Sequence, residues 1–355
     1  MHETVVIIGG GLAGLTAAYK LKKEGINATV LEANIRFGGR IYTKQGLKGN
    51  FELGATWVFQ DHNLKQLIAE LGLELYPQFL EGDALIKYDP SMAIQRSPTA
   101  SLMNGAVYHK VKGGTGTIIE ALSDQLDNDQ VQLNKKVKSL IFSEDFVKIV
   151  TRDETTINAS KVIIAVPPKL VAEQIAIEPA LGQDEIMAST HTWMAESSKF
   201  TVLFDKDYWR LNNLSGFVYS NYGLIREIQD HTAEDGKSVG LVGFMQPDQE
   251  LATDHTKRKK VAFSELRELF GIEDSNILGY DDFQWNNLFV DEHQQNFNAE
   301  LMAHQNNGNP FYSISHYENK LFFAGAETSP TNPGYMEGAV ISAYRAVELL
   351  KSTIK

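Results

Sequence analysis

The sequence predicts an α/β fold combined with α+β: a nucleotide-binding unit of parallel strands and helices, joined to a unit with a mainly antiparallel sheet and flanking helices. Three observations predict it. A strand, a glycine turn, a helix and a second strand follow one another within residues 4–32. A strand, turn and helix close the chain over residues 321–350. Between them, residues 168–319 lose that pattern and carry short alternating apolar runs such as KFTVLF and VGLVGFM, with one amphipathic helix near 256–270. A chain of 355 residues is long enough for two packed domains.

Composition narrows the function. The content of 43% hydrophobic and 22% charged residues is that of a globular protein. A net charge of −12 repels phosphate backbones, so nucleic acid is not an expected partner. The absence of cysteine removes disulfides, thiolate catalysis and cysteine-ligated metals. No apolar run approaches the roughly 20 residues of a membrane span, and the first residues carry no leader pattern. A cytoplasmic protein without a membrane partner is expected.

Thr4 to Ile8 form the continuous apolar run of a buried parallel strand. GGGLAG follows at residues 9–14, and Leu12, Leu15, Ala18, Tyr19 and Ile26 recur at roughly helical spacing. Ala28 to Leu31 form the second strand, ending at Glu32 and Ala33. Gly9 suits the tight turn, Gly11 a backbone approached by a pyrophosphate, and Gly14 close helix–strand packing. Leu12 and Ala13 open the helix, whose free N–H groups favour an anion. Glu32 stands where a carboxylate accepts from both ribose hydroxyls, which disfavours a 2′-phosphate. These residues describe a Rossmann-like dinucleotide site, with NAD and FAD both open.

The next residues, EANIRFGGRI at 32–41, resemble the extension found in the superfamily of FAD-dependent amine oxidases, desaturases and protoporphyrinogen oxidases. Further stretches are similar to the flavin monoamine oxidase family. They are FELGATWV at 51–58, KGGTGTIIEALSDQL at 112–126, the strand series 131–168 ending in KVIIAVPP, and LFFAGAETSPTNPGYMEGAVISAYRAVELL at 321–350. The resemblance implies bound FAD. Arg36 and Arg40 would bring positive charge to its pyrophosphate and ribityl region, and Gly38 and Gly39 would let the chain pass close. Gly54, Ala55, Thr56 and Trp57 would lie beside the flavin. Val137 would hold the adenine, and Pro167, Gly325 and Glu327 would complete the cradle. The N–H of Met336 would meet the flavin N1–C2=O edge at a helix start, where the helix dipole stabilises an anionic reduced ring.

The resemblance also implies the reaction, oxidation of the carbon alpha to an amine nitrogen by hydride transfer to flavin N5, with oxygen as acceptor and peroxide as product. Lys199, in ESSKFTVLFDKDYW, would hold a water and assist reoxidation. Tyr335 would form one wall of an aromatic cage, and Trp57, Lys199, Trp285 and Tyr335 would meet the substrate. For the opposite wall the sequence departs from the family pattern. Gln295 falls near that position, and Phe289, Phe297 and Trp57 are the substitutes. Arg96 and Arg226 are candidates for clamping a substrate carboxylate. The nine histidines are scattered; His62, His191 and His293 are expected on the surface or hydrogen-bonded, and no metal site is expected. Without cysteine the family's cysteinyl flavin link is impossible, so non-covalent FAD is expected, with a histidyl link still open. A desaturase or dehydrogenase acting on a C–C or ring substrate, and a flavin-binding protein without turnover, are the competing functions. The expected division is 1–75, 110–167 and 320–355 for FAD, and 76–109 and 168–319 for substrate. Residues 76–109 are shorter than the helical insertion of larger amine oxidases, and oligomeric state stays open.

Overall fold

The computed structural model of the chain describes residues 4–246, 254–288 and 301–354. At its centre is a five-stranded parallel sheet in the order Val131–Gln132, Ala28–Leu31, Val5–Ile8, Lys161–Ile164 and Leu321–Phe323. Side chains alternate across a strand, and here both sides are apolar because both are covered. Val5 and Ile7 pack with the helices Leu12–Lys23, Gly116–Asp124 and Met336–Lys351. Val6 and Ile8 pack with Leu140, Val147 and Ile149 of a four-stranded sheet laid over the other face.

The first crossover is as tight as its sequence suggests. Gly9 has φ +105°, which L side chains rarely adopt. A Cβ on Gly14 would stand 1.9 Å from the Gly9 carbonyl oxygen, so only glycine lets this helix approach the strand.

A second large sheet has seven strands. Its order is Ile277–Gln284, Ser198–Phe204, Val239–Met245, Ile225–Asp230, Leu214–Ser220, Asp83–Lys87 and Gln95–Pro98. Its pairs are antiparallel except that of Leu214–Ser220 with Asp83–Lys87. Residues 76–109 thus contribute two strands to this sheet. The amphipathic helix spans His255–Phe270, with the Asp254 side chain accepting from the Lys257 N–H at 3.0 Å and Gly271 ending it at φ 64°. Among the described residues no helix is long and apolar enough to cross a membrane.

Candidate active site

A cavity of about 760 Å³ runs from the C-terminal ends of the parallel strands to the face of the antiparallel sheet. Its first stretch is lined by Gly9, Gly11, Leu12, Ala13, Glu32, Ala33 and Val137. A Cβ on Gly11 would meet nothing closer than 3.9 Å, ordinary van der Waals contact, so a side chain there would collide with no protein atom and would stand at the cavity wall. The first helix has no side-chain cap at Gly11, which leaves its N-terminal amides for a bound anion. Glu32 is fixed by the N–H of Gly10 at 2.7 Å and by Asn34, whose backbone N–H donates at 2.9 Å. Lys135 and Lys136 also line this end. A turn with free amides, a fixed carboxylate one strand away and flanking lysines fit an adenine dinucleotide.

Gly38, Gly39, Arg40, Gly54, Ala55, Thr56, Trp57, Pro167, Gly325, Glu327, Tyr335 and Met336 line the middle of the same cavity. Arg40 donates to both carboxylate oxygens of Glu327, at 2.5 and 2.8 Å, and to the Trp193 carbonyl at 3.1 Å. Glu327 is fully buried, and a planar guanidinium matches a carboxylate with two parallel bonds. This pair ties the loop after the second strand to the loop after the last one. Arg345 fixes the latter loop from below, donating to the carbonyls of Thr328 at 2.7 Å and Phe323 at 2.9 Å. Met336 begins the last helix, whose N-terminus at Tyr335 has no side-chain cap.

Arg36 departs from expectation. Its guanidinium donates to the carbonyls of Phe37, Ile41 and Gly39 at 2.9–3.0 Å and lies 4.3 Å from the Tyr42 ring centroid. Three inward-turned carbonyls in one loop satisfy its donor fork, so it shapes the loop and does not line the cavity.

Lys199 is 1% exposed. Its Nζ donates to the Gly54 carbonyl at 2.5 Å and to the Thr56 hydroxyl, and it stands 5.1 and 5.3 Å from the ring centroids of Trp57 and Phe244. Burial pushes its pKa down to about 8, against the opposing fields of Glu52 and Glu227. Trp285 also lines the cavity, anchored by its indole N–H to the Leu53 carbonyl at 2.9 Å.

Tyr335, 42% exposed, stands beside Trp193 at 6.0 Å and His304 at 5.9 Å between ring centroids. Trp193 lines the cavity and stacks on His304 at 4.2 Å. The sequence reading missed Trp193, since nothing local marks it; its place depends on the distant Arg40. Phe289, Gln295, Phe297 and His293 lie outside the described residues. His62 is exposed, while His191 is buried with Nδ1 accepting from the His304 N–H at 3.3 Å.

The far end is aromatic with one polar corner. The register of Ile225–Asp230 slips between Ile225 and Glu227, so two successive side chains, Arg226 and Glu227, both line the cavity. Glu227 is held by the Gln229 amide, whose oxygen accepts from the Tyr108 hydroxyl at 2.9 Å, and burial raises its pKa. Arg96 is not part of the cavity; it is an exposed strand residue bonded to Asp83.

A dinucleotide cradle opening into an aromatic chamber with one buried lysine is the layout of a flavin-dependent oxidoreductase. The comparisons with known proteins agree. The model of the family "Flavin containing amine oxidoreductase" matches residues 12–90 and 83–351, and the chain belongs to that family. A probable flavin-containing monoamine oxidase A of Dictyostelium discoideum is 22% identical over 99% of this chain and 98% of its own length. Putrescine oxidase of Kocuria rosea is 22% identical over 77% of this chain and 80% of its own. Cyclohexylamine oxidase of Brevibacterium oxydans superposes with a TM-score of 0.84 at 20% identity, covering 99% of each chain. The protein is an FAD-dependent amine oxidoreductase.

Proposed function

We propose that the chain oxidises a small amine at the carbon alpha to nitrogen and passes the electrons to oxygen, releasing peroxide. The observation that carries this reading is the buried Lys199, its ammonium held by the Gly54 carbonyl and Thr56 at the junction of cradle and aromatic chamber. FAD, when bound, accepts the hydride equivalent at N5. Gly11, Glu32, Arg40, Val137 and Met336 would hold it non-covalently.

The chain's own groups do the rest. Trp57, Phe244 and Tyr335 exclude bulk water and shape the path of the amine nitrogen. Glu227, kept in place by Gln229, favours a cationic amine at the chamber's far corner. Lys199, with a pKa near 8, carries a proton at neutral pH and can give it up during the oxygen reaction. The two-part division of the chain, a cytoplasmic location, and oxygen and an amine as small-molecule partners belong to the same proposal. The test is peroxide release with a panel of amines that includes putrescine and cyclohexylamine. Amine-dependent peroxide is expected; amine-dependent bleaching of the flavin without peroxide would make the protein a dehydrogenase.

A further inference from the structure

Behind Lys199, on the side away from the main cavity, lies a second cavity of about 130 Å³. Thr56 is the wall between them, lining both while accepting the Lys199 ammonium. The floor of the second cavity is polar and buried. It contains Glu52, Lys110 and His231, which are 1%, 2% and 8% exposed. Its rim, at Asn50, Gly113 and Ser238, reaches residues partly open to solvent. A space of this size that reaches a partly open rim and is bordered by buried charged side chains takes in water from the solvent. At roughly 30 Å³ per molecule there is room for about four.

We propose that this back cavity is a water-filled proton inlet that recharges Lys199 from solvent during the oxygen half-reaction, separate from the route by which the amine enters. The inference rests on the oxidase reading above. Reduction of oxygen to hydrogen peroxide takes two electrons and two hydrogens. The reduced cofactor supplies both electrons and one hydrogen, and the second arrives as a proton. Lys199 gives that proton from Nζ and becomes the neutral amine. The Thr56 hydroxyl then passes its own proton to Nζ and takes one from a water in the back cavity, and the hydroxide left there is neutralised by a proton from bulk at the rim. The charged and titratable groups facing this water are Glu52, Tyr76, Lys110 and His231. Lys110 is committed to the Thr232 carbonyl at 2.9 Å, whereas Glu52 is bonded to Thr43 and Thr115 and contributes a negative field that favours the cation on Lys199.

The test uses the holoenzyme, photoreduced without any amine and mixed with oxygen, so it does not depend on knowing the substrate. Thr56→Val removes the hydroxyl at nearly constant shape, and Ala233→Met plugs the cavity near its rim without touching Lys199. Both should lower the oxygen rate constant about tenfold and enlarge its solvent isotope effect, with FAD content and Tm unchanged, and Thr56→Ser should restore the rate. A crystal structure of the holoenzyme should show ordered water in the back cavity within hydrogen-bond reach of the Thr56 hydroxyl. A dry cavity, or wild-type oxygen rates in Ala233→Met, would overturn the inlet. If the wild type itself reoxidises sluggishly, and Lys199→Met is no slower, the oxidase reading fails instead.

Discussion

Gly11 and Gly14 are three residues apart in one turn, yet their replacement should fail in different ways. A Cβ on Gly11 collides with nothing, its nearest neighbour lying at 3.9 Å, so Gly11→Val should fold with near-native Tm and bind no FAD. A Cβ on Gly14 collides with the Gly9 carbonyl, so Gly14→Ala should lose stability even as the apoprotein. Thermal melts and bound-flavin absorbance separate the two. Lys199→Met should slow flavin reoxidation more than flavin reduction. Because burial brings the Lys199 pKa down to about 8, the cation dominates below that pH and the neutral amine above it. The oxygen rate constant should therefore fall as pH rises through about 8, and the Met variant should lose that limb. Tyr335→Ala should reduce the rate of flavin reduction in FAD-saturated enzyme while Tyr335→Phe stays close to wild type. A purely structural tyrosine would lower Tm and FAD content together, with normal reduction in the molecules that remain loaded.

Two loops and one slipped strand set the site's shape. The loops after the second and last parallel strands are far apart in sequence and are joined by Arg40 and the fully buried Glu327. Glu327→Ala leaves the guanidinium facing a hole, and breaking a buried pair in this way costs about 3 kcal/mol. Lower Tm and weaker FAD retention together are expected in a thermal-shift assay. In the strand Ile225–Asp230, the slip brings Glu227 to the cavity beside Arg226. Glu227→Gln should raise KM for a cationic amine about tenfold, roughly 1.4 kcal/mol, with a smaller change in kcat. The cradle was legible in the sequence because strand, turn, helix and acid are local and each glycine has its own steric reason. The role of Arg36 was not, because charge and spacing do not reveal whether a guanidinium meets a ligand or its own loop's carbonyls. Trp193 and Glu227 were illegible for a related reason: one depends on a bond from Arg40, the other on a register slip.

Across the whole molecule the cavity joins stretches far apart in the chain, among them residues 8–61, 135–199, 217–244 and 325–339, so a bound dinucleotide would link elements that meet only through the fold. FAD added to apoprotein should raise Tm in a concentration-dependent way. FMN should raise it less, since it leaves Glu32, Lys135 and Val137 without a partner. The short 76–109 segment contributes two strands to the second sheet and brings Met103 and Tyr108 to the chamber. The parallel and antiparallel sheet types were readable from where the apolar period changes, but the path of this segment was not, because it joins the sheet by pairing Asp83–Lys87 with a strand more than a hundred residues away. An amine oxidase's substrates must reduce the flavin that the chain holds. Anaerobic mixing of the purified yellow protein with putrescine, cyclohexylamine and a wider amine series, followed at the flavin absorbance, tests it most directly. Full bleaching by at least one amine is expected, at a rate that saturates with its concentration; a flavin that stays oxidised before every amine, yet bleaches with a C–C or ring substrate, would overturn amine oxidation as the reaction.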